Sequence, residues 1–314
     1  MSLRMLLGIL LACAVLGFGF WAQEHYLLTA LSVSSGAPAA ETSSIDPRIA
    51  ARLQERIQKS GADVGVAFRT LDGNAVWSFH AGDDFHAAST MKIPVMIELF
   101  HQVRQRQIKL DEGLLIENEF HSIVDGSRFT LDPKDDSEAE LYKAVGQTRT
   151  VRQLCELMIT VSSNFATNLV IQKLGVENIR STVHSLHADG MNVLRGVEDN
   201  KAFAKGLNNT TTAEGLAVLL EAIAKGEAVD ADASRQMVEI LERQKFNEGI
   251  PAGLPEGTRV AHKTGELTKL HHDAAIVYAK RPFVLVVLVR GLEDFEESSA
   301  LMADLSRQLY QASE

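Results

Sequence analysis

Seven consecutive apolar residues, Phe283-Val284-Leu285-Val286-Val287-Leu288-Val289, constrain this chain more than any other stretch. Successive side chains of a strand point to opposite faces, so an unbroken apolar run buries both, and a strand buried on both faces is central with helices packed against it. The segments around it supply those partners. Asp46-Pro47 reads as an N-cap with proline at the first helical position, followed by Ile49, Leu53 and Ile57 at helical spacing and Gly61 as C-cap. Two strands are predicted next, Asp63–Thr70 and Asn74–His80, joined across Leu71-Asp72-Gly73 by an Asp-Gly hairpin signal. After Pro251 and Pro255 come strands Thr258–Thr264 and Asp273–Tyr278, and Glu293–Gln311 closes the chain as an amphipathic helix. From Ile108 to about Glu248 the patterns are mostly helical. Val151 to Leu174 carries Leu154, Met158, Val161 and Phe165 on one stripe; Thr211 to Ala224 has Thr212 as its N-cap; Arg235–Arg243 repeats the theme. The expectation is an α+β fold, an α/β lobe of residues 46–107 and 256–314 interrupted by an all-α lobe of residues 108–255. A site is expected in the cleft between them.

The N-terminus has a different character. Arg4 precedes an apolar run from Met5 to Trp21, which reads as an export signal and is just long enough to span a bilayer. An uncleaved membrane anchor over residues 1–22 is the favoured reading, a cleaved signal the alternative, and residues 23–45 read as a linker. Either places the body in the periplasm or another extracytoplasmic space. A formal net charge of −10 without a basic run argues against a nucleic-acid partner. Of the two cysteines, Cys13 lies in the apolar run and Cys155 in a helical pattern, so no disulfide is expected within the body.

Three short stretches carry chemistry. Ser89-Thr90-Met91-Lys92 heads a helix predicted to run to about Gln107, which puts the serine and lysine on one face a turn apart. A neutral lysine there can take the serine proton and make the hydroxyl an acylatable nucleophile. Alone the pattern means little, since an N-cap serine followed by a solvated lysine looks the same. Ser162-Ser163-Asn164 falls in the helical insertion and His262-Lys263-Thr264-Gly265 ends a predicted strand. Adjacent His271 and His272 point to opposite faces of a strand, which argues against zinc, and Asp132-Pro133-Lys134-Asp135-Asp136 lacks calcium-loop spacing and reads as a solvated loop. No metal or cofactor is expected.

The order S-x-x-K, S-x-N, K-T-G resembles the signature of the class A β-lactamases and related penicillin-recognising serine hydrolases. The resemblance runs from about Asp46 to the C-terminus and includes Asn164-Phe165-Ala166-Thr167-Asn168-Leu169 and Ile250-Pro251-Ala252-Gly253-Leu254-Pro255. It implies an antiparallel five-stranded sheet flanked by helices, with the inserted helical lobe. It implies that Ser89 is acylated, that Lys92 is its base, and that Ser162 with Lys263 passes a proton to the departing nitrogen. Asn164 would bind the substrate amide, and Lys263 and Thr264 its carboxylate. Gly265 would leave room along the strand, and the N–H groups of Ser89 and Glu266 would form the oxyanion hole. The substrate would be a β-lactam or a cell-wall peptide, handled by a monomer.

Three departures stand out. Ser163 replaces the family's usual aspartate. In the loop Leu194–Thr210, counting from Arg195 puts Val197 where the deacylating glutamate belongs, with Glu198 one position late and Asp199 two. No arginine follows the K-T-G strand; Lys269 and His272 are nearest. A slow-deacylating penicillin-binding or esterase relative, and a non-catalytic envelope binding protein on the same scaffold, stand as alternatives.

Overall fold

In the computed structural model, which describes residues 43–314, the apolar run is the middle of a sheet. Strands β1 (Asp63–Thr70), β2 (Val76–Phe79), β3 (Arg259–Leu267), β4 (Leu270–Tyr278) and β5 (Phe283–Arg290) pair antiparallel in the order β2-β1-β5-β4-β3. Alternation divides β5 between two cores. Val284, Val286 and Leu288 join the larger cluster, shared with the helical lobe, whereas Phe283, Leu285, Val287 and Val289 join a second. Full burial of each such side chain is worth about 1.5–3 kcal/mol. The second core is closed by α1 (Pro47–Ser60) through Leu53 and Ile57 and by the C-terminal helix Phe295–Ser313 through Leu301, Leu305 and Leu309.

Local chemistry sets these boundaries. The Asp46 carboxylate accepts from Arg48 N at 2.8 Å, and Gly61 ends α1 in the left-handed region at φ 68°. Between β1 and β2, Asp72 Oδ1 accepts from the Thr70 hydroxyl at 2.6 Å and from Asn74 N at 3.0 Å, and Gly73 takes φ 73°.

The remaining helices are α2 (Lys92–Arg104), α3 (Val151–Thr160), α4 (Asn164–Leu174), α5 (Val176–Ser185), α6 (Asn200–Ala204), α7 (Ala213–Lys225), α8 (Ala231–Leu241) and α9 (Phe295–Ser313). Several boundaries differ from the sequence expectation. Residues 151–174 are two helices: the stripe breaks at Ser162, where φ is 59°. The apolar spacing carries across the break because both helices pack into one core, so periodicity alone could not show it. The inserted lobe is not wholly helical, since Gly113–Leu115 pairs with Thr148–Thr150 and Phe120–His121 with Arg128–Phe129. Helix α2 packs on α3, α4, α5 and α8, whereas α7 covers β1, β4 and β5. The two lobes therefore exchange a helix, and the expected limits at 107 and 256 do not separate them.

The linker expected to end at residue 45 ends earlier. Ser43 bridges to Trp77, Ser44 N donates to Val76 O at 2.8 Å, and Ile45 is buried. The anchor expected over Met5–Trp21, Cys13 and the rest of the linker lie outside the described residues. Among the described residues no helix is long and apolar enough to cross a membrane. Cys155 is buried in α3, and that burial pushes its thiol up to about 12, the environment of an inert thiol.

Candidate active site

Ser89 lies in a 3₁₀ turn, Ala88–Met91, that runs directly into α2 at Lys92. The turn is held on both sides. Ala88 takes φ 43° and its N–H donates to His86 Nδ1 at 3.0 Å, while the Thr90 hydroxyl donates to Ala87 O at 2.6 Å. A left-handed alanine costs about 1 kcal/mol or more, and such strain collects at functional sites. The turn packs against β3 at Gly265. A Cβ there would stand 3.0 Å from Ser89 N and 3.1 Å from Thr90 N, so the K-T-G glycine is required by close backbone approach.

Lys92 is wholly buried and extends toward the break between α3 and α4. Its Nζ donates to the Ser162 carbonyl at 2.7 Å, to Asn164 Oδ1 at 2.9 Å and to the Ser162 hydroxyl at 3.2 Å. From the opposite side Lys263 Nζ reaches the same hydroxyl at 3.0 Å and Thr264 O at 2.8 Å. The left-handed turn at Ser162 is what presents both its carbonyl and its hydroxyl to Lys92. Two ammonium groups sharing one acceptor out of water shift strongly. Burial lowers Lys92 to about 7 against the opposing charges of Asp136 and Glu198. Burial and the Lys92 charge hold Lys263 well below the ordinary lysine range, with Asp273 opposing.

The loop after α5 is held in place by Asn168 and Arg195. Asn168 on α4 clamps Val197 like a strand partner, donating to Val197 O at 2.9 Å and accepting from Val197 N at 2.7 Å. Gly196 leaves room for this clamp, since a Cβ would stand 2.5 Å from Asn168 Oδ1 and displace it. Arg195 ties the loop shut by donating to Leu207 O, Gly196 O and Asn208 Oδ1. Glu198 then takes φ 62°, and its Oε1 accepts from Asn164 Nδ2 at 2.9 Å. Burial first, then the nearby Asp135 charge, raises its pKa. Asp199 also lines the cleft, but its carboxylate is engaged: it accepts from the Ser122 hydroxyl, Ile123 N and Ala202 N, capping α6. Burial works against its ionised form, but those hydrogen bonds prevail and hold it below the usual carboxylate range.

Two adjoining clefts of about 230 and 240 Å³ meet at Ser89. Glu198, Val197 and Phe203 line the first; Ser162, Thr264 and His271 line the second; Asn164 and Glu266 line both. Ser89, Ser162, Asn164, Thr264, Gly265 and Glu266 thus face common space, and Lys92 and Lys263 reach it through Ser162.

The model of the beta-lactamase enzyme family matches residues 48–313. The chain belongs to that family. It is 29% identical to beta-lactamase AST-1 of Nocardia asteroides, over 97% of this chain and 93% of that protein. Its fold is similar to that of an ancestral class A beta-lactamase (TM-score 0.72, 25% identity, 84% of this chain and 99% of the other). It is also similar to a single-residue mutant of PBP-A solved as an acyl-enzyme complex with penicillin G (TM-score 0.71, 25% identity, 84% and 96%).

Against that family, one site residue escaped the sequence reading. Asp136, expected in a solvated loop, accepts from Phe165 N at 2.7 Å, the Tyr142 hydroxyl at 3.0 Å and the Ser163 hydroxyl at 3.3 Å. It brings a carboxylate to the first turn of α4, beside Ser163, where the family's usual middle aspartate is missing. The missing charge was the only sequence signal for it. Ser163 itself is buried, caps α4 by accepting from Ala166 N, and does not line the clefts. Removing Asp136 strands these three donors and Glu138 N, which donates to its Oδ1 at 3.1 Å, so Asp136→Ala is expected to cost about 1–3 kcal/mol in urea unfolding with an unchanged slope. A midpoint equal to the wild type's would remove it from this role.

Lys269 and His272, the basic residues nearest the K-T-G strand in sequence, do not line the clefts. Lys269 pairs with Glu293 at 2.6 Å. His272 is fully buried on the opposite face, with Nδ1 accepting from Val289 N and Nε2 donating to His86 O. His271 faces Ser298 and Phe295 instead, so the adjacent histidines do diverge.

Proposed function

We propose that this chain is a serine hydrolase of the class A type that opens β-lactam amides through an acyl-enzyme on Ser89. The observation that carries the reading is the chain Lys92–Ser162–Lys263, hydrogen-bonded through one hydroxyl, in the cleft that Ser89 lines against Gly265. Ser89 Oγ attacks the lactam carbonyl, its proton leaving by way of Lys92. The developing oxyanion is received by the N–H groups of Ser89 and Glu266. The C–N bond breaks, and the nitrogen takes a proton from Ser162, resupplied by Lys263. Glu198 then removes a proton from water, whose oxygen attacks the ester carbonyl; the C–Oγ bond breaks and Ser89 takes back the proton held on Lys92. Full engagement of the Asp199 carboxylate by three donors supports Glu198 over Asp199 as that base.

A second reading is kept by the one-residue offset of Glu198 and by the likeness to PBP-A. In it, acylation proceeds and deacylation is slow. A fluorescent penicillin and a chromogenic cephalosporin separate the two. Rapid colour marks a lactamase, lasting label without turnover a penicillin-binding type, and neither sinks both readings. Arg4 and the run Met5–Trp21 support export to an extracytoplasmic space.

Lys92 sets the pH dependence. Its folded pKa of about 7 lies below the ordinary lysine value of 10.5, and only the neutral amine can accept the serine proton. The single-turnover acylation rate constant is therefore expected to rise with pH through about 7 and level off above it. A flat profile from about pH 5.5 to 8.5 removes Lys92 as the base.

A further inference from the structure

We infer that His271 holds the carboxylate of the substrate, through an Nε2–H that exists only when the imidazole is protonated, so that affinity for anionic substrates is gated by pH. The inference rests on the β-lactam reading above and deepens it.

The ring's orientation is fixed by its neighbours. Its Nδ1 lies 2.9 Å from the Ser298 hydroxyl, whose own proton goes to Phe295 O at 2.8 Å. Ser298 can then only accept, so His271 Nδ1 carries a proton in every state. The ring is also stacked on Phe295, with centroids 4.3 Å apart. Nε2 is left without a partner among the described residues, and the ring lines the same cleft as Ser89, Ser162 and Thr264. When neutral, Nε2 offers a lone pair that repels a carboxylate; when protonated, it donates a charge-assisted hydrogen bond.

Thr264 lines the cleft and offers a neutral hydroxyl, but among the described residues no cation there is free of other partners. Both lysines already donate to Ser162, and no arginine lines the cleft among the described residues. Two carboxylates do line it, Asp135 and Glu266, the latter paired with His271 across the β3–β4 ladder. Glu248 from the segment before β3 and Asp273 on β4 also act on the ring, and on the side of α9 the N-cap Asp294, with Glu293 and Lys269, lines an adjoining cleft that His271 shares. Burial lowers the His271 pKa, while the Asp273 and Glu248 charges raise it. Burial prevails and shifts the free imidazole toward its neutral form, and a bound carboxylate pulls it back toward the charged form. Burial first, then Glu248, raises the Glu266 pKa, so acid both charges the histidine and discharges its rival.

The test compares a chromogenic cephalosporin bearing its free carboxylate with the methyl ester of the same compound, from about pH 5.5 to 8. For the wild type, KM of the acid is expected to rise about tenfold across that range, while KM of the ester stays level. His271→Gln should abolish the rise and hold KM of the acid at its high-pH value, and His271→Arg should hold it low throughout. Acid and ester KM values that track together in the wild type overturn this inference alone. So does a His271→Gln protein with the wild-type profile. A wild type that reacts with neither compound overturns the β-lactam reading, and this inference falls with it.

Discussion

Ser89→Ala is expected to produce a folded protein whose cephalosporin hydrolysis is lower by about 10⁴-fold to 10⁶-fold. The other serine of the three motifs cannot replace the hydroxyl. The Ser162 hydroxyl is held by both lysines, and its backbone turn faces Lys92. The substitution removes one oxygen from a half-buried position and should change stability by no more than about 0.5 kcal/mol. The loss would then belong to chemistry, not to folding. Intact mass after incubation with benzylpenicillin is the decisive reading in a Glu198→Gln background, where the protein that keeps Ser89 should gain the mass of the whole drug and the double variant none. A variant that still gained it would place the nucleophile elsewhere.

Glu198→Gln is expected to separate the two halves of the cycle. Acylation should continue and deacylation slow by about 10²-fold to 10⁴-fold, the usual worth of a general base. A chromogenic substrate would show a burst of one equivalent followed by a nearly flat line, with the drug adduct persisting by mass. The raised pKa of Glu198, from burial and then Asp135, gives the same step a sign. The base works only when ionised, so wild-type deacylation weakens as pH falls through a value above 4.5. An unchanged hydrolysis rate in the variant would show that the loop residue does not activate water.

Most of the sheet and its flanking helices were legible in residues 46–80 and 258–314, where local chemistry and position agree. The Asp46 cap, the Asp72-Gly73 turn and the doubly apolar β5 each act within a few residues. The three motifs were legible as strings, but their convergence was not. It depends on Ser162 entering the left-handed region and on Gly265 admitting the Ser89 turn, and neither leaves a periodic trace. Asp136 and Ser163 meet across 27 residues of chain, and His271 gains its role from Ser298 on another element. The break at Ser162 was hidden because both helices keep the apolar spacing of one. Glu198 shows the opposite error of a strict count. A left-handed residue carries its carboxylate to Asn164 despite the offset, which sequence position alone would have disfavoured.

The placement of β5 between β1 and β4 has a consequence for how the molecule is made. Asp63 pairs with Arg290, and the full β1–β5 ladder joins the beginning of the body to its last strand. Neither hydrophobic core can close before the ribosome has nearly finished, because β5 supplies side chains to both. Pairing across such a span is slow. Both cores therefore wait, incomplete, for the strand that joins them.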